Sequence, residues 1–210
     1  MKSIITSALM ITALSFCVNS LFAQTFKDVF KEENSLTWLG IDFTEVKVIG
    51  HTDTELDDLA ARQFSGINDL VINEPKKYEL DKAFHKATVE SDLSFVKAKN
   101  KGIDASKIKS VNAADEARFT NSIVAKIVEG YNFGSKKGIG VLFIMESMSK
   151  SSEKSSMYVT FIDMGSKKIL HTERMVEKVG GFGLRNYYAK SIYEALEDIQ
   201  KSKYKEWMKS

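Results

Sequence analysis

The chain has 210 residues, with 30 Lys and Arg against 28 Asp and Glu, 43% hydrophobic residues, a single cysteine and a single proline. Charge this balanced argues against nucleic-acid binding, which needs a strong local excess of Lys and Arg. One cysteine excludes a disulfide framework, so stability has to come from an ordinary hydrophobic core.

The first segment reads as an address. Lys2 precedes a stretch from Ile4 to Val18 that is apolar or small apart from scattered Ser and Thr, the layout of a secretory signal with cleavage expected after Ala23. The run falls short of the roughly 20 residues a spanning helix needs, and no second apolar run follows it. Leu14-Ser15-Phe16-Cys17 puts a bulky Phe where a lipoprotein signal requires a small residue, so Cys17 is read as part of the signal and not as a lipid attachment point. The reading is therefore residues 1–23 as signal peptide and 24–210 as one domain of an exported protein, periplasmic or secreted, with no transmembrane span after signal removal. Without Cys17 the mature chain has no thiolate nucleophile and no Cys-based metal site.

Residues 24–34 are a polar lead-in. From Ser35 to Gly50, alternation at Leu39, Ile41 and Phe43 goes out of phase at Val46 and Val48, which predicts a strand bulged or bent near Thr44. Thr52 and Glu55 have capping-box spacing, and Leu56, Leu59, Ala60, Phe64, Ile67 and Leu70 continue it as a helix. Pro75 marks a boundary. Leu80 to Val89 suggests a second helix, Phe95 and Val96 a short strand, 97–112 a loop, and 113–128 a third helix. Ile139 to Met145 is apolar on both faces, as a central strand would be. Strands at 157–164 and 169–178 follow across short connections, and Asn186 is expected to cap a final amphipathic helix. This order predicts an α+β fold, a mainly antiparallel sheet with helices packed on one face in two layers.

The concentrated candidate for a site is Val179-Gly180-Gly181-Phe182-Gly183-Leu184-Arg185-Asn186. Glycines before a helix whose first amides lack partners can receive an anion, although the spacing is neither the dinucleotide fingerprint nor the phosphate loop. Arg185 opposes the helix dipole at that point, so it calls for a negative partner. Asp42, Glu146 or Asp163 would supply it from inside the protein; a carboxylate or phosphate would supply it from outside. The candidate ligand-binding set is Gly181, Gly183, Arg185, Asn186, Asp42 and Glu146. His51 belongs to the helix start, Asp81 and His85 form a surface pair, and His171 stands in a strand without a nucleophile motif. No catalytic residue, metal or cofactor is assigned. Among the aromatic residues, Trp207 is the best placed to be an exposed anchor.

Trp38-Leu39-Gly40-Ile41-Asp42-Phe43, Tyr158-Val159-Thr160-Phe161-Ile162-Asp163 and the stretch from Gly180 to Tyr188 resemble a group of small exported proteins of unknown function from Bacteroidota-type bacteria. The strand-turn-strand-strand-helix ending is similar in topology to the α/β domain of envelope assembly lipoproteins, including curli-secretion and penicillin-binding-protein activator families. The resemblance carries no activity or site residues; export, balanced charge, a single domain and no recognisable catalytic set point to a non-enzymatic envelope protein that binds a partner or supports an assembly. The alternative is a small-molecule binder or hydrolase taking an anionic ligand at the Gly180–Asn186 turn.

Overall fold

The computed structural model describes residues 24–210; residues 1–23, expected to be a signal segment, and Cys17 among them lie outside the described residues. The sheet corrects the expected architecture. Of its seven strands, five run parallel: β1 (Leu36–Asp42), β2 (Lys47–Ile49), β3 (Val89–Ser91), β4 (Lys109–Ser110) and β5 (Ile139–Ser149). Only β6 (Lys154–Asp163) and β7 (Lys168–Lys178) are antiparallel, added to β5 as a meander. The protein is of α/β type with helices on both faces, not a two-layer, mainly antiparallel fold.

The seven strands occupy five lanes. β1 pairs with the first half of β5 and β2 with its last residues, so β1 and β2 are one line of chain broken at 43–46. β3 flanks β1 and β4 flanks β2 in the next lane. Between β3 and β4 that lane holds two short helices, α4 (Ser94–Asn100) and α5 (Ala105–Ile108), where sequence reading gave a strand at Phe95 and a loop over 97–112. The apolar pair Phe95-Val96 read as strand lies in α4, which packs as a helix against the edge of β1.

A helix in a strand's place leaves the β1 backbone without a ladder, and buried main-chain groups must find partners. Two side-chain amides supply them. Asn68 accepts from Ile41 N (2.7 Å) and donates to Ile41 O (3.0 Å), while Asn100 accepts from Phe43 N (2.9 Å) and donates to the same carbonyl (2.9 Å). Gly40 makes the close approach possible. Its φ is +99°, and the pairing register shifts between Trp38 and Gly40, so the bulge lies earlier than Thr44.

The capping box at Thr52 and Glu55 forms and starts α1 (Asp53–Asp58), which runs through a π-helical turn (Leu59–Gln63) into α2 (Phe64–Asn73). α3 (Leu80–Ala83) is a single turn, and Val89 belongs to β3 rather than to a helix. The expected third helix is a 3-10 turn (Ala113–Ala117) followed by α6 (Asn121–Glu129). α7 (Leu184–Asp198) continues through a second π-helical turn into α8 (Tyr204–Trp207).

Period-two burial then builds two cores. Trp38, Ile41, Phe43, Val141, Phe143, Val159 and Phe161 face α1, α2, α3, α7 and α8. Leu39, Leu142, Ile144 and Ile162 face α6, with Phe119, Tyr131 and Phe133. β5 is buried along its whole length because it is covered on both faces.

One polar pairing makes the β7–α7 contact pH-dependent. Glu177 is half-buried, and burial together with Asp198 and Glu194 on α7 raises its carboxyl to about 7. An acid with a raised folded pKa stabilises below its unfolded pKa, and that stability is lost as pH rises through 7. After allowance for partial solvent screening, Glu177→Gln is expected to raise unfolding free energy at pH 8 by about 1–2 kcal/mol. The gain should vanish below about pH 4.5, as denaturant titrations at the two pH values would reveal.

Candidate functional site

The turn between β7 and α7 is built by backbone that other residues would not adopt. Gly181 and Gly183 have φ of +110° and +80°, the left-handed half of conformational space that glycine enters without cost. The Gly180 N–H donates to Tyr187 O (2.9 Å), and the Tyr187 N–H donates to Gly183 O (2.9 Å), closing the turn onto the first coil of the helix. Gly183, not Asn186, is the N-cap, and no side chain caps the leading amides. Asn186 accepts a long 3.4 Å bond from Arg185 Nε instead.

The geometry leaves Phe182 outside. It is 96% exposed, the most exposed large apolar side chain among the described residues. Beside it a shallow groove of ≈ 420 Å³ is lined by Arg62, Gln63, Gly66, Phe182, Gly183 and Arg185, among others. The Arg185 stem lies across Gly66, where a Cβ would stand 3.1 Å from Arg185 Cδ. Arg62 and Gln63 are both engaged by Asp58. Arg185 is exposed, and among the described residues no carboxylate pairs with it.

The carboxylates expected at this turn are elsewhere. Asp42 is buried on the α6 side of the sheet, accepting from Tyr131 Oη (2.5 Å) and from Thr44 N (2.7 Å). Burial and the adjacent Asp42 push the Tyr131 hydroxyl far up. Glu146 is also fully buried on that side. It accepts from Phe119 N (2.5 Å) and pairs with Arg174 Nε at 2.6 Å. Asp163 caps its own turn through Gly165 N (3.0 Å). The proposed set therefore divides, with Gly181, Gly183, Arg185 and Asn186 together at the turn and Asp42 and Glu146 across the sheet.

Behind the turn stands an array that sequence gave no sign of. His51 Nε2 contacts the Tyr188 hydroxyl, and Nδ1 lies 3.2 Å from Glu55 Oε2. Tyr188 is 137 positions from His51 in the chain, so no spacing rule links them. The backbone amide of Thr52 holds the Glu55 carboxyl at about 2, and burial lowers His51 and raises Tyr188. With the tyrosine O–H donating to Nε2, Nδ1–H is turned toward the carboxylate at 3.2 Å without forming a hydrogen bond. Carboxylate, imidazole and hydroxyl in line would suit proton transfer, but the His51 and Tyr188 side chains are sealed from solvent. Their role on this geometry is to tie the end of β2 to α7.

The remaining histidines and the tryptophan are also packed. His85 stacks on Tyr204 with centroids 4.3 Å apart, while Asp81 accepts from Val89 N (2.6 Å), so the two do not pair. His171 lies between Phe26 and Trp207. Trp207 is buried, its indole N–H donating to Glu173, which corrects its expected role as an exposed anchor; Phe182 has that position. Among the described residues no group of three or more His, Cys, Asp and Glu is placed to hold a metal ion. Larger grooves of ≈ 560 and ≈ 610 Å³ flank α4 and α5; Asn68 and Asn100, which line the first, are already engaged by β1.

No protein-family model matches this chain, and no match is found among curated proteins. No helix among the described residues is long and apolar enough to cross a membrane.

Proposed function

We propose that this chain is an exported, non-enzymatic envelope protein that binds a protein partner through the Gly180–Asn186 turn. The observation that carries the reading is the nearly complete exposure of Phe182 on a glycine-built turn beside the unpaired Arg185. Exposing a phenyl ring to water forfeits about 1.5–3 kcal/mol of burial energy, and aromatic and Arg side chains are enriched where interfaces form. The free guanidinium and uncapped α7 amides favour a partner that presents an acidic group beside an apolar one. The placement of Asp42 and Glu146 on the α6 side of the sheet supports this reading over the hydrolytic alternative.

The test is site-specific photocrosslinking in cells from position 182, with position 111 as control, since Val111 is an apolar residue exposed to 91% in a different part of the fold. A discrete adduct from 182 alone is expected. Phe182→Ala should then weaken binding of the recovered partner by about 2 kcal/mol, or roughly 30-fold, while folding stability changes by less than about 0.5 kcal/mol. No adduct at 182, or equal adducts at both positions, would remove the reading.

A further inference from the structure

The two edges of the sheet are treated differently. On the β3–β4 side the edge strands have three and two residues, with α4 and α5 filling the lane between them. On the other side β7 offers 11 residues, and between Ile169 and Lys178 its backbone bonds to β6 alone among the described residues. Such an edge is a template for another strand. His171 on this strand packs between Phe26 and Trp207 of its own chain, with Nε2 3.7 Å from Glu173 Oε2.

We propose that β7 pairs antiparallel with β7 of a second copy of this chain, about a twofold axis at Thr172. A continuous sheet keeps each side chain on its own face, so the axis must pass through one residue. An axis at Glu173 or Arg174 sets that charge opposite itself. An axis at Met175 opposes Glu173 to Glu177, and one at Val176 opposes Arg174 to Lys178. At Thr172 the opposed residues are the two threonines, with His171 facing Glu173 of the second copy on either side. Among axes from Thr172 to Val176 it alone avoids like charges face to face, which destabilise directly opposed strand pairs. The bulge in the β6–β7 register at Leu170 limits the pairing toward the strand's start.

Sedimentation velocity from about 1 to about 100 µM tests the association. The wild-type chain is expected to dimerise. Thr172→Lys and Thr172→Glu, each with its folded circular-dichroism spectrum intact, are expected to associate at least about tenfold more weakly alone. An equimolar mixture of the two should recover the dimer, because Lys then faces Glu across the axis. Should either variant fail to fold, hydrogen exchange of the wild type decides: β7 amides should be better protected at the higher concentration. A wild type that stays monomeric, with β7 exchange independent of concentration, overturns the pairing. A dimer that both variants leave intact overturns it too. Weakening with no recovery on mixing overturns the axis at Thr172.

Discussion

Gly40→Ala is expected to cost at least about 3 kcal/mol of unfolding free energy, the largest effect of any single methyl group added to this protein. Two independent penalties combine there. The backbone stands at φ +99°, where a residue with a Cβ is strained by about 1–3 kcal/mol. The new methyl would also lie 2.6 Å from Asn68 Oδ1, 2.7 Å from Val96 Cγ2 and 2.8 Å from Leu93 Cδ2. Relief would require α2 and α4 to move outward, pulling the asparagine amides away from Ile41. Denaturant unfolding of wild type and variant measures the loss. A midpoint within error of wild type would show that the bulge can be rebuilt without glycine.

Arg174→Met is expected to destabilise by about 3–5 kcal/mol, because it leaves the Glu146 carboxylate buried without its cation. The arginine also donates to Glu116 O (2.6 Å), a carbonyl that accepts from Ser156 Oγ as well (2.8 Å). Losing the guanidinium therefore loosens the 3-10 turn over the α6 face in addition to stranding a charge. Arg174→Met with Glu146→Gln should recover much of the loss, since the amide removes the buried charge while still accepting from Phe119 N. If the double variant were no more stable than Arg174→Met, the pair would be acting through packing alone. Thermal unfolding of the three variants makes the comparison.

What the sequence revealed depended on how local the deciding physics was. The β5–β6–β7 meander, the capping box at Thr52 and the glycine turn were all readable, because period-two alternation, a three-residue spacing and clustered glycines are local signals. Sheet direction was not. Leu36 pairs with Ile139 and with Val89, and nothing in the residues of β1 reports which way a neighbour 53 or 103 positions away will run. The mainly antiparallel expectation extended the meander's geometry to strands whose partners were out of sequence range. The same limit separated the predicted site residues. Arg185 at a helix start signalled a missing negative charge, yet the choice among Asp42, Glu146 and Asp163 required knowing the faces, and β1 and β5 place the first two among the α6-side residues. The exposure of Phe182 had a readable cue, a large side chain between two glycines, whereas the link from His51 to Tyr188 had none.

The parallel seam at the centre of the sheet also bears on timing. β1 and β2 gain their main partner only when β5 is available, about a hundred residues later, so the first half of the chain cannot lock into place until most of the polypeptide is present. Such wiring delays consolidation of the amino-terminal half and leaves its strands without their lattice of bonds until the last third of the chain has been made.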